Sequence, residues 1–406
     1  MAPFVPAGGG VSSYLDGKAV ISGVGQSAVG RRLGRNGVDL AIEATLLAIE
    51  DAGLTPDDVD GVASYPGPVS SEAGFGGATT HEVRDALGLR TRWFVSGNET
   101  PGQLGPVIYA SLAVAAGLAT HVVCFRSVWE STAQAAVGRA AALTERFHRA
   151  TGHMEWRAPF GAASPANWIA MYAQRYMHEH GMTREQLAQI ALNARRNAAR
   201  NPKAIYTAPM TMEEYLSVRM ISYPLGLYDC DVPCDGATVV IVSRREATAG
   251  LRRQALTIEG AGTALYERHT WDQRVDLTTM ASHDAGESMW DTTTLRPGDV
   301  DFAQLYDGFS YLTVQWLEAL QFCEHGGAGK FIEGGDRISP EGELPVNTHG
   351  GQLSGGRLHG FGFLHEACVQ LWGEGGERQL AGQPSVGAVA AGGGPEAGCL
   401  LLRRAS

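Results

Sequence analysis

An acidic turn recurs in the same order in each half of the chain. The matched residues, 241 positions apart at every pair, are Pro56 with Pro297, Asp58 with Asp299, Val59 with Val300, Asp60 with Asp301, and Tyr65 with Tyr306. Turns of this composition are common, so the order of the elements that follow matters more than the match itself. In both halves the turn leads into a strand, a glycine-rich turn, a helix and a final strand, which predicts a duplicated α/β unit.

The elements of the two halves can be read from the sequence. In the first half they are TRWFVSG, NETPG, QLGPVIYASLAVAAG and THVVCF, and in the second LPVN, THGGQLSGG, RLHGFGFLHEACVQLWG and PSVGAVAAGGG. A strand, KAVISGVG, and a helix that should end at Gly53 precede the first turn. The predicted units are residues 1–130 for the first part of the N-terminal half, 131–219 for an inserted helical region, 220–250 for the closing strands of that half, and 251–406 for the C-terminal half.

Composition excludes several classes of protein. The chain has 406 residues, 53 of them glycine, and a formal net charge of −11 with a pI near 5.6. Such acidity argues against nucleic acid or an anionic membrane surface as the main partner. The N-terminus MAPFVPAGGG has no signal-peptide pattern, and no apolar run is long enough to span a bilayer, so we expect a cytoplasmic protein.

The six cysteines are scattered, and only Cys230 and Cys234 are close together, in CDVPC. A zinc site would need further ligands near this pair, and none follow. We therefore expect buried, reduced thiols and no disulfide framework.

The segment VSGNETPGQ, from Val95 to Gln103, is predicted to form a strand, a tight turn and the start of a helix. Many acyl transferases place a nucleophile at such an elbow, because the N–H groups of the following helix stabilise negative charge. Here the turn contains Asn98, Glu99 and Thr100 but no cysteine or serine.

Four motifs resemble the thiolase superfamily, and specifically its lipid-transfer or sterol-carrier branch. They are YPLGLYDCDVPCDGA (223–237), LYDGFS (305–310), PVNTHGGQLSGGRLHG (345–360) and AAGGG (390–394), and they occur in the order typical of the family. The resemblance covers nearly the whole chain. It implies an α/β thiolase fold in which two duplicated halves form a five-layered αβαβα core, with an inserted helical loop region.

The thiolase catalytic residues are replaced in this chain. The position of the nucleophilic cysteine falls on Glu99, that of the second cysteine on Ala390 or Ala391, and that of the activating histidine on Arg357. An arginine cannot act as a base near neutral pH. Thiolysis through a covalent acyl-enzyme is therefore not expected.

Within the same branch, the chain resembles steroid side-chain aldolases that lack both cysteines and cleave a β-hydroxyacyl-CoA by a retro-aldol reaction. In that group one catalytic tyrosine lies in the LYD motif, at Tyr306 here, and a second lies at the position of Arg357. The first match holds and the second departs. The implied reaction releases a ketone or aldehyde and a short acyl-CoA from a bulky, steroid-like substrate.

Retro-aldol chemistry needs a base for the β-hydroxyl, donors for the enolate and an acid for the α-carbon. We expect Tyr306 to exchange the proton if a nearby cation lowers its pKa from about 10, and Arg357 is a candidate for that cation or, equally, for binding the enolate oxygen. His359 would serve as a neutral base or relay. His349, Glu99 and Gly393 are predicted on the substrate or oxyanion side, although a histidine in a turn could equally cap the backbone. The remaining acidic candidates, expected to anchor loops outside the site, are Asp229, Asp231 and Asp235.

The resemblance also implies partners. We expect a small acyl-CoA-associated protein with an OB-fold and a zinc ribbon, and a heterotetramer built around a thiolase-type homodimer. Coenzyme A would enter as the substrate thioester, and any zinc would belong to the partner rather than to this chain. Two alternatives remain open at this point: a Claisen-type thiolase or acyltransferase on an unusual β-ketoacyl-CoA, and a non-catalytic acyl-CoA-binding scaffold.

Overall fold

The computed structural model describes residues 14–67, 74–97, 99–137, 151–152, 154–162, 164–265, 270 and 274–404. The strands are β1 (Ala19–Gln26), β2 (Gly61–Ser64), β3 (Trp93–Ser96), β4 (His121–Trp129), β5 (Met220–Ser222), β6 (Leu225–Gly226), β7 (Asp235–Arg244), β8 (Leu256–Thr263), β9 (Phe302–Leu305), β10 (Val386–Gly393) and β11 (Glu396–Arg404). The helices are α1 (Gly37–Ala52), α2 (Thr80–Leu87), α3 (Gly105–Ala115), α4 (Glu130–Val137), α5 (Met154–Arg157), α6 (Pro165–His180), α7 (Arg184–Ala198), α8 (Met212–Ser217), α9 (Ala281–Trp290), α10 (Ser310–Ala319), α11 (Ala328–Phe331) and α12 (Phe361–Trp372).

The predicted duplication is confirmed by the strand order. The N-terminal half-sheet runs β3-β2-β4-β7-β1, and the C-terminal half-sheet runs β9-β10-β11-β8. In each half the first strand and its neighbour are antiparallel, and the strands that flank the crossover helix are parallel. A short antiparallel pairing of β1 with β8, from Val20↔Thr257 to Ile21↔Leu256, joins the two half-sheets.

The edge of the C-terminal half-sheet differs from the prediction for LPVN. Instead of a full strand, this segment forms a single parallel bridge between Ala303 and Val346. Pro345 has no N–H to donate, and the Asn347 side chain replaces the missing strand: it accepts from Leu305 N at 2.7 Å and donates to Leu305 O at 2.8 Å. The Asn347 side chain therefore takes the position at this sheet edge that β3 occupies in the N-terminal half-sheet.

The helices form the expected layers around the half-sheets. α1 packs against β1, β4 and β7 on one outer side, and α9 packs against β8 and β11 on the other. α3 contacts the N-terminal strands, and α12 contacts strands of both half-sheets, so these two helices lie between them. Within the described chain this arrangement is a five-layered αβαβα core, as the fold class predicts.

Glycines allow the outer helices to approach the sheet closely. A Cβ at Gly25 on β1 would lie 2.2 Å from Ala44 O of α1, and one at Gly262 on β8 would lie 1.9 Å from Ala285 O of α9. Both halves therefore use a glycine on their first strand to bring the backbone of the first helix into direct contact. α1 ends at Gly53, in the left-handed conformation with φ 74°, as the sequence predicts.

The inserted region contributes helices, as expected, and these anchor the glycine-rich loop of the C-terminal half. From α7, Asn193 and Asn197 donate to Val346 O at 2.9 and 3.0 Å, and Asn201 donates to His349 O at 2.9 Å. Because backbone carbonyls in a buried loop need partners, this set of amides fixes the loop. In the part of the chain that the structure describes, no helix is long and apolar enough to cross a membrane.

We expect Gly25→Ala to destabilise the fold by about 1–3 kcal/mol, because its methyl group overlaps the α1 backbone. Gly298→Ala is the matched control, since nothing lies within 4 Å of a Cβ at that position and its φ is not positive. Thermal melts of both variants beside the wild type measure the effect. A melting temperature for Gly25→Ala equal to that of Gly298→Ala would contradict the close contact.

Candidate active site

Three of the four motifs meet where β9 and β10 end. Tyr306, directly after β9, donates its N–H to Ala390 O on β10 at 3.1 Å. A Cβ at Gly102 in the elbow would lie 2.6 Å from Ala391 O, and one at Gly360 would lie 2.8 Å from Ala391 Cβ. The elbow, the LYD motif, the GGRLHG turn and the final glycine run therefore line one site.

The thiolase nucleophile positions contain no thiol. Ala390 and Ala391 are fully buried on β10, and Glu99 is exposed. Asn98, its neighbour in the elbow, lies outside the described residues. Because Glu99 is exposed, its charge is solvated and need not oppose an anion bound at the start of α3.

Four of the six cysteines are poor nucleophiles. Cys124, Cys368 and Cys399 are fully buried, and burial raises the pKa of each thiol well above its usual range. Cys234, which lies beside Gly356 at the edge of the site, is raised in the same way, and the charge of Glu130 adds to the effect. These thiols stay protonated near neutral pH, so they do not supply the missing thiolate.

Arg357 is held by two carboxylates. Its Nε and Nη2 donate to Glu130 at 2.9 and 2.7 Å, and its Nη1 donates to Asp231 at 3.1 Å. Glu130 begins α4 and is fully buried, whereas Arg357 comes from the C-terminal half. The interaction therefore joins the halves through a bidentate, charge-assisted pair.

The charges of this pair are stable over a wide pH range. Burial raises the pKa of Glu130, but the charge of Arg357 and the proximity of His359 outweigh burial and hold it at about 2. Burial lowers the pKa of Arg357, but Asp231 and Glu130 raise it well above its usual range. The expectation that Asp231 only anchors a loop was wrong, because its Oδ1 lies 3.1 Å from Arg357 Nη1 and forms an ion pair with it.

Arg126 is a second cation that the sequence analysis missed. It lies on β4, is 1% exposed, and its guanidinium packs over the rings of Phe75 and Tyr65 at 4.7 and 5.6 Å. Its Nη1 donates to Ser127 O at 2.8 Å, while Nε and Nη2 have no hydrogen-bond partner among the described residues. Burial lowers its pKa to about 10, so the group stays charged near pH 7 and can bind an anion.

Two tyrosines related by the duplication approach Arg126. Tyr65 and Tyr306 occupy equivalent positions in the repeat, and both interact electrostatically with the Arg126 guanidinium. Burial raises the pKa of Tyr65 to about 12, and Glu396 contributes. The ring of Tyr306 also lies 6.0 Å from that of Phe363, between centroids. The site therefore contains one phenol from each half.

The prediction that the pKa of Tyr306 lies below its usual value was wrong, although the charge of Arg357 does act to lower it. Burial raises the pKa of Tyr306 well above its usual range, and Asp231 raises it further. The Gln352 side chain and Arg357 oppose this rise but do not overcome it, since the charge of Arg357 is already balanced by two carboxylates. The phenol of Tyr306 is thus neutral near pH 7.

Asp307, the next residue, supports the glycine-rich turn. Its Oδ1 accepts from Gln352 N at 2.6 Å, and a Cβ at Gly351 would lie 1.9 Å from its Oδ2. Burial raises its pKa to about 7, although backbone N–H groups of the turn counteract this. The turn over residues 351–355 is π-helical and fully buried.

His359 is a buried, neutral imidazole in the site, and its role as a base stays a prediction. Burial lowers its pKa to about 3, Arg126 lowers it further, and Glu130 opposes the shift. Its Nε2 lies 3.7 Å from Glu130 Oε2, and neither ring nitrogen has a hydrogen-bond partner among the described residues. Its ring contacts Phe75 edge-on at 4.6 Å, and its backbone has φ 47° and donates to Gln352 Oε1 at 2.8 Å.

His349 and Gly393 flank the site. Burial lowers the pKa of His349 to about 4, and its ring lies 5.2 Å from that of Phe363, which also contacts Tyr306. Gly393, at the end of β10, has φ 139°, a conformation that side chains rarely adopt. Their roles toward the substrate stay predictions.

The other two aspartates anchor loops, as expected. Asp229 accepts from Tyr215 Oη at 2.6 Å, from Ser310 Oγ at 2.5 Å and from Gly226 N at 2.7 Å. Asp235 accepts from Leu33 N and from Thr132. Both carboxylates are fully buried, and these loop hydrogen bonds account for their positions.

Two signals in the sequence could have indicated the missed residues. Arg126 is the only charged residue within the buried strand HVVCFRSVW, and arginine is almost never fully buried unless it is paired. Tyr65 is the repeat partner of Tyr306. Glu130 had no comparable signal, because its partner Arg357 is 227 residues away.

Comparisons with known proteins identify the family of this chain. Residues 262–399 match the family model Thiolase C-terminal domain-like. The chain is 37% identical over 363 residues to a steroid side-chain-cleaving aldolase of Thermomonospora curvata, with 87% of this chain and 90% of the relative covered. It is 33% identical over 399 residues to the 17-hydroxy-3-oxo-4-pregnene-20-carboxyl-CoA lyase of Mycobacterium tuberculosis, covering 95% of this chain and 100% of the relative.

A solved structure is similar to this chain over nearly its whole length. The Ltp2-ChsH2(DUF35) aldolase superposes with a TM-score of 0.84 at 34% identity, covering 97% of this chain and 99% of that one. At these identities and coverages the similarity extends from the fold to the sequence of the whole chain. The chain belongs to the lipid-transfer or sterol-carrier branch of the thiolase superfamily, together with the steroid side-chain-cleaving aldolases.

Proposed function

We propose that this protein is a retro-aldolase, a carbon–carbon lyase that cleaves a bulky β-hydroxyacyl-CoA, with a steroid side chain as its substrate class. The observation that carries the proposal is the buried Arg126, whose Nε and Nη2 have no hydrogen-bond partner among the described residues, beside two neutral tyrosines in a site whose thiolase nucleophile positions contain no thiol. A covalent mechanism needs the thiolate that is missing here, whereas retro-aldol cleavage needs a base, an acid and a cation for the enolate.

The name of one relative indicates the substrate chemistry. In 17-hydroxy-3-oxo-4-pregnene-20-carboxyl-CoA the hydroxyl is on C17 and the thioester carbonyl is attached to C20, so the hydroxyl is β to the thioester. Cleavage of the bond between these carbons yields a ring ketone and a short acyl-CoA. For this chain we propose a tertiary β-hydroxyacyl-CoA of the same kind.

The first step is removal of the β-hydroxyl proton by His359. Its lowered pKa keeps the ring neutral at physiological pH, and its free nitrogens can accept the proton. Glu130 Oε2, 3.7 Å from Nε2, stabilises the imidazolium that forms. The alkoxide then collapses to the ketone, the carbon–carbon bond breaks, and its electron pair moves into the thioester as an enolate.

Arg126 stabilises the enolate oxygen. Its free Nε–H and Nη2–H groups are buried, so a hydrogen bond to a developing anion there is stronger than in water. Arg357 is less suited to this role, because Glu130 and Asp231 already occupy its donors. Arg357 instead fixes Glu130 beside His359.

Tyr306 completes the cycle as the acid. It donates its proton to the α-carbon of the enolate, and the imidazolium of His359 returns a proton to the phenolate. The proton removed from the β-hydroxyl is thereby accounted for, and both side chains regain their initial state. The chain supplies no covalent intermediate, and coenzyme A takes part only as the thioester.

Assembly with a partner is part of the proposal. The solved relative combines Ltp2 with ChsH2, a DUF35 protein, and we propose a related small OB-fold and zinc-ribbon partner that holds part of the coenzyme A. The homodimer at the centre of a heterotetramer would use the sheet edge β3, where Phe94 is 60% exposed. An edge strand with an exposed aromatic residue is suited to pairing with a second copy.

Tyr306→Phe should reduce kcat by about 10²–10⁴-fold, since it removes the proton donor and keeps the ring. Turnover of a tertiary β-hydroxyacyl-CoA by the complex with its partner is followed through ketone release, and acyl-CoA binding by calorimetry. Tyr14→Phe is the control, because Tyr14 precedes β1 and its hydroxyl contacts Ser111 Oγ of α3 at 3.1 Å. Loss of turnover with intact binding supports catalysis, whereas an inert wild type would favour the scaffold, and thiolysis of a β-ketoacyl-CoA would favour a thiolase.

Arg126→Met should lower kcat by about 10²–10³-fold, as expected when one donor to an oxyanion is lost. Arg126 is a buried cation with two nitrogens that have no hydrogen-bond partner among the described residues. Replacing it removes the free-energy cost of burying that charge, so the melting temperature should not fall. Kinetics and melts of the same preparation separate these effects. If kcat and the melting temperature fell together, Arg126 would have a structural role instead.

The pH profile distinguishes His359 from Tyr306 as the base. A base with a pKa of about 3 is already unprotonated at pH 5, so kcat/KM should be nearly flat from about pH 6 to 9. If Tyr306 acted as a phenolate, its raised pKa would make the rate increase roughly tenfold per pH unit. Ionisation of the Asp307 carboxyl, whose pKa is about 7, could add a step to the rate profile near pH 7. Asp307→Asn removes that contribution. A tenfold rise per unit would refute the role of His359.

A further inference from the structure

We propose that this chain binds a zinc ion at a histidine and glutamate cluster outside the site that contains Tyr306. The cluster consists of His283 in the first turn of α9, Glu318 near the end of α10, and His325 in the loop that follows. Each offers one ligand atom, and these atoms all lie within 4.8 Å of one another. Imidazole and carboxylate ligands in this combination are typical of zinc.

Glu318 is fixed with one oxygen directed to the cluster. Its Oε1 accepts from Tyr176 Oη, and from Gly326 N and Ala328 N at 3.0 and 3.1 Å. Its Oε2 lies 2.9 Å from His325 Nδ1. The carboxylate side chain is fully buried, so the second oxygen needs a cation.

The hydrogen bonds around His325 define what that cation can be. Thr278 donates its hydroxyl to Asp276 Oδ1 at 2.6 Å, so its oxygen can only accept from His325 Nε2, 3.1 Å away. The Nε2 atom therefore carries a proton, and in the neutral ring Nδ1 presents a lone pair to Glu318. Two acceptors at 2.9 Å repel each other unless a proton or a metal ion lies between them.

His283 favours the metal ion over the proton. Its Nε2 is buried and has no hydrogen-bond partner among the described residues, while its Nδ1 accepts from Met280 N at 3.3 Å. A proton shared by His325 and Glu318 leaves this nitrogen unsatisfied, whereas a metal ion uses it. Coordination through Nε2 would place the ring proton on Nδ1, so the long hydrogen bond from Met280 N would be lost.

The surroundings allow a fourth ligand and a balanced charge. The ring of His180, the last residue of α6, lies 5.0 Å from that of His325, and its Nε2 is also buried without a partner among the described residues. A Cβ at position 326 would lie 2.5 Å from His180 Nδ1, so Gly326 admits this ring. The nearby cation Arg274 is paired with Asp284 at 2.7 Å.

Closing the site requires only small movements. Ligand atoms about 2.1 Å from a tetrahedral zinc ion are about 3.4 Å apart, compared with a maximum of 4.8 Å here. His325 is 43% exposed and can adjust, whereas Glu318 is fixed. A bound ion would connect α6 of the inserted region with α9 and α10 of the C-terminal half.

The test titrates the full-length chain, treated with a chelator and freed of partner, with ZnCl2 and CoCl2. Calorimetry should show one ion per chain, and His325→Ala should weaken binding at least tenfold. His178→Ala, an exposed histidine of the same α6, is the control and should bind as the wild type does. Zinc should raise the melting temperature of the wild type and of His178→Ala, but not that of His325→Ala.

Three results would overturn the zinc site. They are absence of stoichiometric binding at micromolar zinc, equal affinity in His325→Ala, and a sulfur-to-cobalt charge-transfer band, which would place the ion on cysteines. Glu318→Gln provides a second variant that keeps the size of the side chain. None of these measurements depends on turnover, so their outcome is independent of the retro-aldol proposal.

Discussion

The ion pair of Arg357 with Glu130 and Asp231 determines the electrostatics of the whole site. It joins residues from both halves of the duplication. The two carboxylates balance the charge of Arg357, which would otherwise lower the pKa of Tyr306 further. With Arg357 balanced, the remaining cation is Arg126, the phenols stay neutral, and Glu130 is held ionised beside His359. Each proposed role of a catalytic side chain depends on this one pair.

Loss of the thiolase cysteines fits the same arrangement. A covalent mechanism needs a thiolate and a base to form it, and both positions are changed here, to an exposed glutamate and a paired arginine. What the site contains instead is a buried cation, Arg126, whose Nε and Nη2 have no hydrogen-bond partner among the described residues. That cation and the loss of the nucleophile together favour chemistry through an enolate.

Much of the fold could be predicted, because the repeat and its element order are local properties of the sequence. Tyr306 and His359 were also predicted to share a site, since the motifs that contain them are specific. The direction of the Tyr306 pKa was not predictable, because it depends on which carboxylates reach Arg357. The residues of the proposed zinc site, Glu318, His283 and His325, form no spacing motif, so there was no reason in the sequence to expect a metal in this chain.

The continuity of the two half-sheets limits how substrate can reach the site. β1 pairs with β8 across the junction, and α12 packs against strands of both half-sheets, so the halves cannot swing apart as hinged domains do. Access for the proposed acyl substrate would then depend on surface loops or on the proposed partner subunit. The rate of product release would accordingly respond to loop and partner mutations rather than to changes at the junction of the halves.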